Sequence, residues 1–395
     1  MAKGSLRITK VDSTTAKRLS GAQFELRNQE NKVIQKGSTN NKGILLFQGL
    51  VVGEYLLVEV QAPKKYEQNR SKYSIVIKAN ETTEIKIENT LSPIAQHSLY
   101  ERLLLVFGAL WATEDETQLE VGDILNYLSD KVRRHVESQV LRLGEHNQLS
   151  LNRAKQKPSR KEIQRLRKQI KRRRKQSRKE HASGIDNSNR DQQLEDLERQ
   201  FPETYLDILM DEIELDVIES FHEQEKLAEE HLENIVEEAF DQISGELNVS
   251  ASYTEKEIQD IVEAEWSGAR FSDTLWKNKE QLMFNLKRII TQGLIRGDGI
   301  EEMTKALQKE MNAAKYASER VIRTETAYVM NQSTLRAYKK SGFKQYEFTA
   351  HIDERTSDRC KKKDGKVYRI EEAKVGVNVP PLHPNCRSAI LPVIH

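Results

Sequence analysis

The sequence predicts a multidomain protein: an N-terminal antiparallel β-sandwich, a long, mostly α-helical body and a small α+β C-terminal domain. Three observations lead there. Short alternating segments parted by Gly, Asn and Pro fill the first ninety or so residues. Apolar residues then recur at three- and four-residue spacing. Both cysteines, Cys360 and Cys386, fall in the last stretch, with His383 in the turn Pro-Pro-Leu-His-Pro-Asn-Cys-Arg. At 395 residues the chain is too long for one ordinary core. A hydrophobic content of 37% beside 31% charged residues suits long exposed helices. The net charge of +2 conceals segregation, with Lys and Arg crowded between Arg153 and Lys179 and acids between Asp191 and Glu265.

The segments SLRITKVD, AQFELRN, GILLFQGL, EYLLVEVQ, YSIVIKA and TEIKIENT carry the period-two pattern of half-buried strands. After Pro93 that pattern stops. Ile124, Leu125, Leu128, Val132, Val136 and Val140 begin a helical stripe. Leu206, Leu209, Ile213, Val217 and Phe221 continue it, then Ile235, Ala239, Phe240 and Ile243, and then Leu282, Leu286, Ile289, Ile290 and Leu294. Arg296-Gly297-Asp298-Gly299 reads as a helix stop and restart, and 183–192 as a polar hinge. The expected divisions are 1–92 sandwich, 93–150 helical segment, 151–190 basic helix and hinge, 191–315 helical body and 316–395 C-terminal domain. The start MAKGSLRITKVD lacks the apolar core of a signal peptide, and the longest apolar run, Leu103–Trp111, is too short to span a bilayer. The expectation is an intracellular chain without a membrane partner.

In the N-terminal region, Ile8-Thr9-Lys10-Val11-Asp12, Gly21-Ala22-Gln23-Phe24-Glu25-Leu26, Tyr55 through Pro63, and the closing Ile87-Glu88-Asn89 resemble the Cna protein B-type domain of Gram-positive surface proteins and pili. The resemblance implies a spontaneous isopeptide bond, with Lys10 as nucleophile, Asn89 as acceptor and Glu59 as the proton-shuttling acid. Desolvation in an apolar sandwich favours the neutral amine that attack requires, and a buried Glu59 would polarise the Asn89 carbonyl and help ammonia leave. The plainer reading is a sandwich in which these are ordinary strand residues. Lys65 departs from the family pattern, which has glycine there.

Segment 153–179 holds fifteen Lys or Arg and one thin apolar stripe, Ile163, Leu166 and Ile170. Its candidate nucleic-acid contacts are Arg165, Lys168, Lys171, Arg172, Arg173, Arg174 and Lys175, which would bind double-stranded DNA without sequence preference. With no aromatic residue interleaved, base stacking is not expected. The alternatives are pairing with the acidic segment that follows, or a solvated linker. The acidic stretch 211–238 reads as a surface helix, and His222 and His231 as incidental surface histidines.

Four readings compete for the C-terminal cluster. A structural zinc site would use Cys360, His383 and Cys386, with Asp353 or His351 as fourth ligand. The others are a hydrogen-bonded cluster without metal, a disulfide between the two cysteines, and a nucleophilic cysteine activated by His383. Arg323-Thr324-Glu325 opening a helix, Asp353-Glu354-Arg355-Thr356, Asp364-Gly365-Lys366 and His383-Pro384-Asn385-Cys386-Arg387 resemble the C-terminal domain of tailed-phage minor head proteins, the Mu F-like head morphogenesis family. That resemblance implies a structural role in head morphogenesis at the portal vertex, portal and capsid proteins as partners, and residence in the host cytoplasm and then the virion head. No small-molecule substrate is expected, nor any enzyme activity beyond one intramolecular bond-forming event. The other functions open to the sequence are a surface adhesin or pilin-like protein, an artificial or mis-annotated join of two unrelated parts, and an enzyme with the head-protein domain as carrier.

Overall fold

The computed structural model describes residues 2–145, 148, 149, 151–183, 187–250 and 252–394. Seven strands come first: β1 Lys3–Asp12, β2 Gln23–Arg27, β3 Val33–Ser38, β4 Ile44–Val51, β5 Gly53–Gln61, β6 Lys72–Ile77 and β7 Thr82–Asn89. They form two sheets, β4-β1-β7 and β3-β2-β5-β6. Pairing is antiparallel except between β1 and β7, which run parallel with Lys10 opposite Ile87 and Asp12 opposite Asn89. Side chains of a strand point alternately to its two faces. Leu6, Ile8 and Lys10 of β1, Leu57 and Glu59 of β5, and Ile87 and Asn89 of β7 therefore all face inward, and all are buried. Lys65, in the turn after β5, has φ 78, the left-handed region that favours glycine.

The chain then becomes helical. α1, Pro93–Leu143, starts with proline at its first position, where no amide donor is needed. The two-residue strands β8 Gly144–Glu145 and β9 Gln148–Leu149 and the single turn α2 Leu151–Ala154 lead to α3, Arg160–Ala182. A reciprocal Ser159–Glu162 capping box opens α3. α4 Ser188–Arg199, α5 Tyr205–Glu246, α6 Glu255–Val262, α7 Phe271–Arg296 and α8 Ile300–Ser341 complete the body. Gly297 (φ 75) ends α7 and Gly299 caps α8, as the Arg-Gly-Asp-Gly signal predicts. The side chain of Val140 and residues 184–186 of the expected hinge lie outside the described residues, while positions 188–192 of that hinge are the first turns of α4.

Two expectations for this region are corrected. The acidic stretch 211–238 is not a surface helix: it lies in α5, which packs against α1, α3, α4, α6, α7 and α8 and buries residues on several sides. His222 and His231 are accordingly buried. His231 bridges three helices, with Nδ1 3.0 Å from Thr117 Oγ1 of α1 and Nε2 2.9 Å from Thr326 Oγ1 of α8, and burial pulls its pKa down to about 4. Among the described residues, no helix is long and apolar enough to cross a membrane.

After α8 come β10 Gln345–Thr349, the single-turn α9 Asp358–Lys361, β11 Lys366–Arg369 and β12 Ala389–Pro392, forming an antiparallel sheet of order β11-β10-β12. α8 runs unbroken across position 316, and one hydrophobic core joins the helical body to this sheet through Tyr338, Phe343, Tyr346 and Ile390. The sandwich has its own core. It meets the body where Lys17 Nζ donates to Asn248 O (2.9 Å) and at Gly342, φ +86, whose added Cβ would lie 2.3 Å from Thr15 O.

Candidate functional site

In the sandwich, strand parity brings Lys10, Glu59 and Asn89 together, exposed by 0%, 1% and 3%. Lys10 Nζ lies 3.2 Å from Glu59 Oε1, an ion-pair distance without hydrogen-bond alignment. Asn89 Nδ2 donates to Glu59 Oε2 (3.0 Å) and to Glu67 O (2.7 Å). Glu59 Oε2 also accepts from the Asn69 amide at 2.7 Å. Burial lowers the Lys10 pKa, opposed by the Glu59 charge, so the apolar walls favour the neutral amine. The geometry revises one detail of the expected chemistry. The Glu67 carbonyl can only accept, which fixes the Asn89 amide nitrogen toward Glu59. Glu59 thus touches the leaving nitrogen and the lysine, and Asn89 Oδ1 has no partner. The arrangement suits a carboxylate that takes a proton from Lys10 and delivers it to departing ammonia, rather than one that polarises the carbonyl. Asn69 and Glu67 complete this site, and neither stands out in the sequence because each contributes through its backbone.

The second cluster is built by short local structure. Ser357 caps α9, its Oγ accepting from the Cys360 amide (3.3 Å), and so holds Cys360 toward the turn that carries His383 and Cys386. The Cys386 amide donates to His383 O (3.2 Å), and Asn385 supplies the left-handed bend at φ 61. His383 Nδ1 lies 2.8 Å from Pro384 O, which keeps the proton on Nδ1. Nε2 is then free to accept, 2.7 Å from Ser357 Oγ and 3.2 Å from Cys360 Sγ. The two sulfurs are 3.6 Å apart, unbonded and buried. Their hydrogen bond draws the Cys360 pKa down and pushes that of Cys386 up.

The three ligand atoms lie within 4.8 Å of one another. Tetrahedral zinc with Zn–S of about 2.3 Å and Zn–N of about 2.0–2.1 Å has ligand–ligand edges of roughly 3.5–3.8 Å. The donor set and its spacing therefore fit a metal, with a neutral imidazole oriented by its second nitrogen. Asp353 does not join it, which corrects the expected fourth ligand. Its carboxylate is committed to Arg387 (2.5 Å), the Thr356 hydroxyl (3.0 Å) and the Arg355 amide (2.9 Å), which hold it well below the usual carboxylate range. His351 is 4.0 Å from Asp353 and likewise outside the cluster. The neighbour that sequence reasoning missed is Ser357, legible as the cap residue three positions before Cys360.

Arg323-Thr324-Glu325 does not open a helix but sits within α8, and its three side chains reach three different elements. Arg323 meets Asp115 (3.3 Å) and Gln118 (3.0 Å) of α1. Thr324 Oγ1 accepts from the Asn385 amide (3.0 Å) and so ties the His383–Cys386 turn to α8. Glu325 accepts from Trp266 Nε1 (2.7 Å), and burial pushes its pKa up to about 7.

The basic run is a helix docked by Ile163, Leu166 and Ile170. Arg173 pairs with Glu219 (3.3 Å), and Arg174 with Glu195 (3.6 Å) and Glu198. The acidic helices thus claim two of the seven candidate nucleic-acid residues. Arg165, Lys168, Lys171, Arg172 and Lys175 remain exposed. Lys161, Arg165, Lys168, Arg172, Lys175 and Lys179 follow one another at four- and three-residue steps, a single ridge opposite the docking stripe.

Comparison with known proteins agrees with the two ends of the molecule. Residues 4–91 match the family model of the prealbumin-like fold domain. Among solved structures, the Bacillus anthracis TIE protein is 36% identical over 22% of this chain and 16% of that one, with a TM-score of 0.21. The minor pilin GBS52 of Streptococcus agalactiae is 25% identical over 23% of this chain and 46% of that one, with a TM-score of 0.22. The assignment of the sandwich rests on the family match and not on such scores. A curated relative, the NAD(+)–arginine ADP-ribosyltransferase EFV of Enterococcus faecalis (strain ATCC 700802 / V583), is 28% identical over 119 residues, 29% of this chain and 24% of its own length. The chain thus spans about a quarter of that relative. Residues 285–391, from within α7 through the Cys–His–Cys centre to β12, match Phage Mu protein F like protein. The chain therefore carries a prealbumin-like domain at one end and a region of the Phage Mu protein F like family at the other.

Proposed function

We propose that this chain is a structural protein of a phage head, active in head morphogenesis, with an N-terminal pilin-like sandwich locked by a Lys10–Asn89 isopeptide bond. The observation that carries the reading is the match of residues 285–391 to the Mu F-like family, whose region includes the Cys–His–Cys centre and the Thr324 tie to it. Cys360, His383 and Cys386 would hold zinc, which would join α9 to the His383–Cys386 turn that Thr324 ties to α8. The partners are portal and capsid proteins, and the site of action is the host cytoplasm during assembly and then the virion head.

Non-specific duplex DNA is the partner of α3. The ridge from Lys161 to Lys179 spans about 27 Å at 1.5 Å per residue; its cations are exposed, and Arg165 and Arg172 also line a cleft shared with Glu212 and Asp216 of α5. The amine of Lys10 attacks the Asn89 side-chain carbonyl carbon, the C–N bond to the amide nitrogen breaks, and Glu59 carries the proton that lets ammonia depart.

Tryptic mass spectrometry of purified virions tests the whole reading. The peptide carrying Asn89 is expected joined to the Lys10 peptide and lighter by one ammonia, together with peptides from residues 285–391. Particles without any peptide of this chain would overturn the head-protein reading. An unbranched Asn89 peptide would overturn the bond alone.

A further inference from the structure

We propose that the cleft between the α4–α5 linker and α7 is a recognition pocket for a lysine or arginine side chain presented by a partner polypeptide, with Asp211 as its counter-charge. The cleft encloses about 370 Å³ and is lined by Phe201, Met210, Asp211, Met283, Phe284 and Lys287, within the range of small-ligand pockets.

Asp211 is the reason to look here. It is only 6% exposed, yet it has neither a hydrogen bond nor an ion pair with any described residue. Its carboxylate lines the cleft and is reached only from there, so the cleft is where a counter-charge can meet it. Its acidic neighbours are already committed. Asp207 caps α5, accepting from the amides of Glu203 (3.1 Å) and Thr204 (2.8 Å) and from the Thr204 hydroxyl (2.9 Å). Glu214 accepts from Lys279 Nζ at 2.7 Å. Lys287 also lines the cleft, beyond ion-pair distance of Asp211, and its charge partly stabilises the carboxylate. Burial, with Glu214 and Asp207 close by, pushes the Asp211 pKa up to about 7, so an entering cation meets a carboxyl that it would hold ionised.

The walls select the kind of cation. Phe201 and Phe284 are 57% and 66% exposed, large apolar surfaces left open beside a carboxylate. Aromatic faces attract ammonium and guanidinium groups, and the alkyl stem of Lys or Arg packs well on methionine. Phe201 already stacks a guanidinium from the same chain, with Arg167 Cζ 5.0 Å from its ring centre. A bare metal ion is the poorer fit. Among the described residues, the group with metal-ligand spacing is the Cys–His–Cys centre and not these carboxylates.

The test uses the full chain and a fluorescein-labelled tetralysine peptide, read by fluorescence anisotropy at low salt, with the ε-acetylated peptide and magnesium chloride as further probes. Asp211→Asn is expected to weaken tetralysine binding about tenfold or more, and Phe284→Ala about fivefold. Glu237→Gln, on the same acidic helix but outside the cleft, should change it less than twofold. Asp211→Asn should melt no lower than the parent, because no hydrogen bond or ion pair within the described chain is lost, and a melting curve separates its loss of binding from unfolding. Equal losses in Asp211→Asn and Glu237→Gln would mean diffuse attraction to the helix and would overturn the proposal. So would binding of the acetylated peptide, or competition by magnesium as strong as by free lysine amide.

Discussion

Replacing Glu59 with Gln tests the sandwich chemistry at its centre. Glutamine keeps the shape of the side chain and can still accept from Asn89 Nδ2, now 3.0 Å from Glu59 Oε2. It removes the carboxylate that lies 3.2 Å from Lys10 Nζ. Two effects should appear together. The isopeptide bond should not form, so the intact mass should equal the calculated mass of the variant, whereas the parent should be lighter by one ammonia. The stabilisation conferred by the bond should also vanish. A link from position 10 to position 89 closes a loop of roughly eighty residues, which by the chain-entropy account of cross-links removes about 4–5 kcal/mol from the unfolded state. Removing the counter-charge of a fully buried lysine costs about 3–5 kcal/mol more, softened where Lys10 sheds its proton. For a domain of this size about 1 kcal/mol moves the melting temperature by about 4–8 °C, so the sandwich transition should fall by 20 °C or more, on the order given by these terms. Intact-mass spectrometry and differential scanning calorimetry read the two effects. A variant that still loses ammonia would refute the role of Glu59. A parent of full calculated mass would refute the bond.

The other predictions concern the body and the C-terminal domain. Chelation should lower the melting temperature of the C-terminal region, and Cys386→Ser should do the same without chelator. Cobalt should bind the parent with thiolate charge-transfer bands that Cys386→Ser weakens, and unchanged melting in metal-free protein would rule the metal out. Duplex affinity should fall steeply with salt, and converting Arg165, Lys168 and Arg172 to Gln should reduce the log–log slope by about 2–3. The same change at Arg173 and Arg174 should mainly lower stability, because both are paired within the chain. Glu325 makes stability depend on pH. Its folded pKa is raised from 4.5 to about 7, so the stability it confers is fully present below its unfolded pKa and is lost as pH rises through about 7. Between pH 4 and pH 8 that loss is about 3 kcal/mol. Glu325→Gln should flatten the pH dependence of urea midpoints by that amount, and a parallel curve would show that Glu325 does not titrate in this range.

Much of the sandwich was legible because strand geometry is local. Lys10 lies two residues beyond Ile8, Glu59 two beyond Leu57 and Asn89 two beyond Ile87, so period-two parity alone turns all three inward with the core. The Cys–His–Cys centre was legible for a similar reason, since a short proline-bounded turn and a capped helical turn bring its parts together. Asp353 was misassigned because a loop carboxylate carries no mark of which neighbour will take it, and Arg387 did. The basic run was read correctly as a helix with a thin stripe, but its spacing could not reveal which arginines would be neutralised.

By itself the sequence determined where strands give way to helices, which strand residues face inward, and that one short turn carries His383 and Cys386. Those features depend on backbone periodicity and on contacts a few residues apart. Only the tertiary structure decided that α5 is the centre of the body, that His231 links α1, α5 and α8, that the Arg-Thr-Glu side chains reach three elements, and that Asp211 faces a cleft without a partner. These depend on which helices cross and which faces they present. A buried charge is satisfied or stranded by neighbours far away in sequence, and a charge-rich helix looks the same from its sequence at the surface or in the middle of a bundle.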